Sequence, residues 1–250
     1  MEQLFQMYHN VFKDSKRTFI EDKVKIQKGW HVLEIGCGSC YNFDVWLNAV
    51  GEEGSLTLVE PDEGFGKYLE EKSKHHKNVK YIAKSLEESE PLCCFSKTGY
   101  NLVVLDNVYH HLSDVDTFFL ILKKCLNPVG GKLLMFEAVF GTSRFITPVK
   151  NQYMEIQGKA IKHGYASQTA NAPKQLELHG FQVVYNELIV KSTSDKESPL
   201  AILYRDGMHA MILSKDLEEK KRLQLWKEIW DNPQTVLFGD YTMYLLASIK

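Results

Sequence analysis

Nowhere in its 250 residues does this chain run about eighteen uncharged apolar residues together, so no stretch reads as a membrane-spanning helix. It also lacks a surplus of one charge. Lys plus Arg total 30 against 32 for Asp plus Glu, and a formal charge of -2 supplies no field that would gather nucleic acid or an anionic membrane. The opening MEQLFQMYHNVFKDSKRTF has no apolar core and no cleavage site of a secretory leader, which reads as a soluble, cytoplasmic protein. Cysteine is scarce and odd in number, at 5, and Cys93 and Cys94 are adjacent, a poor geometry for a disulfide framework. Internal repeats and low-complexity tracts are missing too. What remains, 44% apolar and 25% charged, is enough to bury one large core.

Periodicity divides the chain. An amphipathic segment, helical by period, covers roughly residues 3–24. Short β-rich runs then alternate with helical ones. Strands are expected at HVLEI (His31 to Ile35), SLTLVE (Ser55 to Glu60), VKYIA (Val79 to Ala83), NLVVLD (Asn101 to Asp106), GKLLMFE (Gly131 to Glu137) and FQVVYNELIV (Phe181 to Val190). Helices are expected at Tyr41 to Val50, Glu63 to His75 and Val115 to Leu126. The alternation predicts an α/β fold, a parallel sheet covered on both faces. It breaks at STSDKESP (Ser192 to Pro199), and a last strand, YTMYLLASI, covers Tyr241 to Ile249. The expected organisation is one domain over 1–250, with a helical segment at 1–28 and an insertion at 192–240 before the final strand.

Residues Glu34 to Cys40, EIGCGSC, carry the chemical question. Cys37 and Cys40 have the spacing of a thiol-disulfide exchange pair, and a helix N-terminus beyond Cys37 would depress its pKa. The same residues also form a glycine loop between an apolar strand and a helix, the context of a nucleotide site. A dinucleotide fingerprint needs glycine where Tyr41 stands, and the Gly-Lys-Ser/Thr ending of a P-loop is missing. What is left is acidic-x-Gly-x-Gly, with Glu60 closing the second strand, where its carboxylate can accept two hydrogen bonds from a ribose diol. That pattern points to an adenosine fragment. A third reading makes both cysteines small buried residues that pack the loop.

From Trp30 to Phe181 the chain resembles the class I S-adenosylmethionine-dependent methyltransferases, motif by motif and in order: HVLEIGCGS, LTLVEPD, NLVVLDNVYHHL, LNPVGGKLLMFE and LELHGFQVV. The resemblance implies a doubly wound, seven-stranded, mostly parallel Rossmann-like sheet with an N-terminal helical lid. It implies S-adenosylmethionine as cofactor and S-adenosylhomocysteine as product. Glu34 would face the methionine amino group, with Gly36, Cys37 and Gly38 along the methionine moiety. Glu60, followed by Pro61, would take the ribose hydroxyls, and Ser85 and Leu86 the adenine edge. Asp106 and Asn107 would wall the methionine end, with Val108, Tyr109, His110 and His111 nearer the methyl group. Two positions depart from the family pattern: Cys40 replaces a third glycine and Ser85 an aspartate. A methyltransferase-fold protein that binds without methylating is the alternative they motivate.

Methyl transfer needs alignment and desolvation more than acid-base machinery, so no triad or metal site is expected. A base is required when the acceptor arrives protonated, and His110 is placed for it, although either histidine could simply cap or pack the loop. Glu137 could meet a cationic substrate or cap a helix. Tyr8, Phe12 and Phe19 could form a lid that shields the cofactor from water, with Tyr8 toward the substrate, or pack in a core. The insertion, with Tyr204, Met208, His209, Met211, Trp226 and Trp230, could cover a small pocket or form a homodimer interface. The layout loosely resembles small-molecule N-methyltransferases such as histamine N-methyltransferase, which implies an amine or heteroaromatic acceptor.

Overall fold

The computed structural model describes residues 2–86, 88, 98–139, 144–146, 165–193, 195–203, 224, 227–228, 230–232 and 236–249. The chain divides into two compact units. The larger comprises Ser15–Glu137, Gln168–Glu187 and Met243–Lys250; the smaller comprises Met1–Asp14, Ala138–Ser167 and Leu188–Thr242.

The larger unit is built on parallel strands β1 (His31–Ile35), β2 (Ser55–Val59), β3 (Val79–Ile82), β4 (Leu102–Asp106) and β5 (Lys132–Ala138), in the order β3-β2-β1-β4-β5. Val32, Leu33, Leu56, Leu58, Val103, Val104, Leu133 and Leu134 are all fully buried. Neighbours on both faces explain why these strands are apolar at successive positions rather than alternately. Beyond β5 comes β8 (Val236–Ile249), and β7 (Phe181–Thr193) pairs with β8. The Ile249 N–H donates to the Gly131 carbonyl at 3.2 Å, which sets the end of β8 beside the start of β5, as in an antiparallel pair.

Helices α2 (Phe43–Val50), α3 (Glu63–Lys74), α4 (Val115–Cys125) and α5 (Tyr165–Leu178) connect the strands. Asp62 and Asp114 cap α3 and α4 by accepting from the N–H groups of Gly64 and Thr117, at 2.8 and 2.9 Å. Helix α2 starts two residues later than the period suggests, because Cys40 turns left-handed at φ 48° and its N–H closes a turn on the Cys37 carbonyl at 2.7 Å. Register brings the strand ends level: Ile35 pairs with Val59 and with Leu105, and Asp106 with Phe136. The loops that leave these ends therefore share one rim, which is where ligands bind in an open α/β sheet.

The opening helix α1 (Glu2–Phe19) passes into a π-helical turn, Ile20–Val24, closed by left-handed Lys25 at φ 54°. Phe19, expected as lid or core, lies in the core of the larger unit. It is 4% exposed and makes edge contacts with Phe136 and Tyr244 at 6.1 and 5.5 Å between centroids.

In the smaller unit the Tyr8 and Phe12 rings lie 4.8 Å apart, and the Tyr8 hydroxyl shares a 2.7 Å hydrogen bond with Thr242. An eighth strand that periodicity missed, β6 (Arg144–Ile146), pairs antiparallel with β8. The 192–240 segment falls wholly within this unit, and Tyr204, Met208, His209, Met211 and Trp226 lie outside the described residues.

Truncating Phe19 to Ala removes an aromatic plug from a closed site, for a cost of about 3–5 kcal/mol. Urea unfolding of Phe19→Ala is expected to show that loss as a lower midpoint at unchanged slope.

Candidate active site

Glycine begins the site. Gly36 follows β1 at φ 63°, and a Cβ there would sit 2.7 Å from Cγ2 of Val108. The position thus demands glycine twice, for its backbone angle and for close approach of the loop after β4. The N–H groups of Gly36 and Cys37 stay bonded to the Val59 carbonyl at 2.7 and 3.2 Å, which ties the loop to β2. Gly38 also has positive φ, 51°, but nothing lies within 4 Å of where its Cβ would be, so its backbone borders open space.

Four acids stand at the ends of the central strands, and each is satisfied differently. Glu60, 7% exposed, accepts from the Gly38 N–H at 2.8 Å and the Asp62 N–H at 2.9 Å, bracing the glycine loop from β2. Glu137, fully buried, accepts from the N–H groups of Val108 and Tyr109 at 2.8 and 2.6 Å through one oxygen. Its other oxygen lies 2.9 Å from Nδ1 of His110, itself 5% exposed. Asp106 meets a buried cation: both its oxygens take hydrogen bonds from Nζ of Lys16, at 2.7 and 2.6 Å. Lys16 is 1% exposed, and Asn42 and Asn107 add side-chain amides to Asp106 at 3.4 and 3.1 Å. Stripping one partner from such a pair leaves an uncompensated buried charge, at about 3–5 kcal/mol.

Glu34 is the exception. Only 2% exposed, it accepts from the Cys40 thiol at 3.1 Å and from Nε1 of Trp46 at 3.0 Å, and no buried cation sits directly on it among the described residues. Burial raises its pKa to about 7, the Cys40 bond pulls it back, and the nearby Asp106 charge pushes it further up. The side chain foreseen against the methionine amino group is thus engaged beneath the loop, near neutrality between its acid and its carboxylate.

The thiols behave as packing. Cys40 is fully buried and Cys37 is 9% exposed; both are free. A hydrogen bond from Cys40 lowers the Cys37 pKa, but burial and the Glu34 and Glu60 charges leave it raised overall. Burial, then the Cys37 contact, raises that of Cys40 well above the usual thiol range. A reactive exchange pair needs the opposite shift, and the helix whose N-terminus could supply it begins only at Phe43. Cys93 and Cys94 lie outside the described residues.

The remaining expected residues separate into rim and core. Ser85 and Glu88 bond reciprocally, Oγ to N–H and N–H to carboxylate, each at 3.2 Å, a capping box that uses the serine locally. Leu86 beside it is 4% exposed, and Pro61 follows Glu60 at the start of the exposed turn into α3. Asn107 is left-handed at φ 58°, so the chain turns sharply off β4. Tyr109, expected near the methyl group and the substrate, is fully buried against Phe119 at 6.2 Å, its hydroxyl has no hydrogen-bond partner among the described residues, and burial lifts its pKa to about 12. The turn Tyr109–His111 drives that ring into the core while His110 follows Glu137. His111, more exposed, lies tilted against His110 with centroids 4.0 Å apart, and partial burial followed by that neighbour pushes its pKa down. Lys16, Asn42 and Trp46 were not foreseen. The signal for Lys16 was present: it lies four residues after Phe12 and three before Phe19, on the apolar stripe of its helix.

Residues 33–133 match the family model described as a methyltransferase domain. No curated protein matches the sequence. The fold is similar to that of a Bacillus halodurans C-125 protein proposed to be a methyltransferase, at 16% identity and a TM-score of 0.62, over 94% of this chain and 98% of that one. It is similar to a SAM-dependent methyltransferase from Aquifex aeolicus at 17% identity and a TM-score of 0.51, over 91% and 88% of the two chains. A third likeness is to Haemonchus contortus phosphoethanolamine N-methyltransferase 2, in complex with phosphomonomethylethanolamine and S-adenosylhomocysteine. There identity is 14% and the TM-score 0.56, over 99% of this chain and 56% of that one.

The glycine loop and the acid closing β2 both fall within the matched methyltransferase domain, and the cofactor of the solved structure with the same fold from Aquifex aeolicus is S-adenosylmethionine. The residues present fit that cofactor. Gly38 offers backbone beside open space, and the Glu60 carboxylate braced on it keeps lone pairs for a ribose diol.

Because the folded chain holds the Glu34 proton to about pH 7 and the unfolded chain releases it near 4.5, this stabilisation is full below pH 4.5 and is lost as pH rises to 7. The loss amounts to roughly 3 kcal/mol. Glu34→Gln keeps an oxygen for Cys40 and Trp46, so its stability curve is expected to be flatter across that window by chemical denaturation. Iodoacetamide at pH 7.5, followed by peptide mapping, is expected to label native Cys37 and Cys40 at least about tenfold more slowly than the urea-unfolded chain.

Proposed function

We propose that this methyltransferase moves a methyl group from S-adenosylmethionine to a small-molecule acceptor, an amine or a heteroaromatic nitrogen, and that His110 removes the acceptor's proton. The observation that carries the reading is the His110–Glu137 contact at 2.9 Å, on the rim where β4 and β5 end. Glu137 already accepts two backbone N–H bonds, so it remains an acceptor and Nδ1 of His110 carries the proton toward it. The neutral ring then has Nε2 as its basic atom.

The bound cofactor supplies a methyl carbon activated by a sulfonium. The chain aligns the acceptor and removes its proton. Removing a proton matters for an ammonium or an azole N–H, whose lone pair is otherwise occupied. The balanced charge of -2 supports an uncharged or singly charged small acceptor over a polyanion. The fold accommodates such ligands, as the Haemonchus protein with phosphomonomethylethanolamine illustrates.

The test is S-adenosylhomocysteine release over a panel of primary amines and imidazoles, with the wild type and His110→Gln compared on any acceptor found. The expected outcome is turnover on at least one nitrogen acceptor and a kcat about 10²- to 10⁴-fold lower in His110→Gln at similar KM. Equal kcat in the two proteins would remove His110 from the chemistry, and turnover on oxygen or carbon acceptors alone would overturn the acceptor class.

A further inference from the structure

His110 rides on a turn of three residues, Tyr109–His111, bonded internally from the His111 N–H to the Val108 carbonyl at 2.9 Å and from the Leu112 N–H to the Tyr109 carbonyl at 3.2 Å. So short a 3-10 turn holds its shape poorly by itself. Two side chains from elements distant in sequence clamp it from opposite ends. Glu137 takes N–H groups, those of Val108 and Tyr109, and the His110 ring with them. Gln168, in the first turn of α5, serves carbonyls: its Nε2 donates to that of Tyr109 at 2.7 Å and to that of Leu112 at 3.0 Å. Both amide hydrogens are thereby committed to the backbone of one turn, 59 and 56 positions earlier in the chain.

We infer that Gln168 is a positioning residue for methyl transfer, fixing the turn so that His110 presents its ring to the acceptor. This rests on the reading of His110 as the base and adds to it a residue outside the matched region 33–133. Peptide geometry supports it. The Tyr109 carbonyl that Gln168 holds belongs to the same planar peptide as the His110 N–H, and the Tyr109 N–H that Glu137 holds belongs to the peptide before it. Consecutive peptide planes are thus pinned by different side chains, one from β5 and one from α5. Glu137 fixes where Nδ1 lies; the direction the ring takes from there follows the backbone beneath it, which Gln168 sets. A general base has to meet its proton within hydrogen-bond reach, and a displacement of about 1 Å can cost about 10²-fold. Thr169, the next residue, is fully buried, so the helical turn that carries Gln168 is itself fixed in the fold. All of these groups lie in the larger unit. The glycine loop and Glu60 take no part in these bonds, so the effect falls on proton removal rather than on cofactor affinity.

A double-mutant cycle separates positioning from plain support. Gln168→Met keeps the length of the side chain and removes both donors. On an acceptor turned over by wild type it is expected to lower kcat about 10- to 100-fold, with KM and the calorimetric affinity for S-adenosylhomocysteine within about twofold. In the His110→Gln background the same change is expected to move kcat by less than about twofold, because the group it positions is gone. An equal loss in both backgrounds, no loss in either, or a loss confined to KM or to S-adenosylhomocysteine affinity would overturn the inference. Gln168→Glu, which keeps the shape and loses the amide donors, takes the place of Gln168→Met if that variant does not fold. Two-bond proton–nitrogen spectra of the histidine rings give a readout without turnover, the His110 signals being those missing in His110→Gln. Wild type is expected to show one neutral tautomer, protonated at Nδ1, and the Gln168 variants a mixture of both. His110 signals that stay unchanged in those variants overturn the positioning. Should His110→Gln turn over as fast as wild type, the reading of His110 as the base falls, and the spectra still decide whether Gln168 orients the ring.

Discussion

The rim of this sheet depends on how four buried or half-buried carboxylates at its strand ends are kept from being unpaired. Each solution shapes a different part of the site. Glu60 takes backbone N–H groups and thereby braces the glycine loop. Glu137 does the same for the turn after β4 and orients His110 with its second oxygen. Asp106 takes a buried ammonium, and Glu34 a proton held to about pH 7. An isolated charge in such surroundings costs several kcal/mol, so none of these partners is incidental.

The arrangement also accounts for the two departures from the family pattern. Cys40 adopts the left-handed angle that a glycine would take easily, at φ 48°, and its thiol then reaches Glu34 at 3.1 Å. Strain at that position is offset by a hydrogen bond that glycine could not make. Ser85 closes a capping box with Glu88, whose hydrogen bonds tie the serine to its own turn.

The central strands were legible because a strand buried on both faces is written as an uninterrupted apolar run, and β1 falls exactly on HVLEI. The glycine loop and Glu60 were legible for the same local reason: a tight backbone turn and an acid at a strand end are short-range features. Partners distant in sequence were not. Lys16 and Asp106 are 90 positions apart, and nothing in the pattern around either says that they meet, beyond a charge out of place on an apolar helical stripe. For Glu137 the position on the rim is legible, with substrate contact and helix cap both open, while the N–H groups that occupy its lone pairs are not. Tyr109 shares that fate: a three-residue helical turn decides which of its side chains face the rim, and period-based reading does not resolve so short an element.

The central claim is that this rim holds S-adenosylmethionine. A thermal melt with saturating S-adenosylmethionine, with S-adenosylhomocysteine, and with NAD as control tests it most directly. At a hundredfold excess over Kd, linkage adds about 2.7 kcal/mol, roughly 5–10 °C for a chain of this size. A rise with both sulfur nucleosides and none with NAD is the predicted result; no rise with either nucleoside would contradict the account.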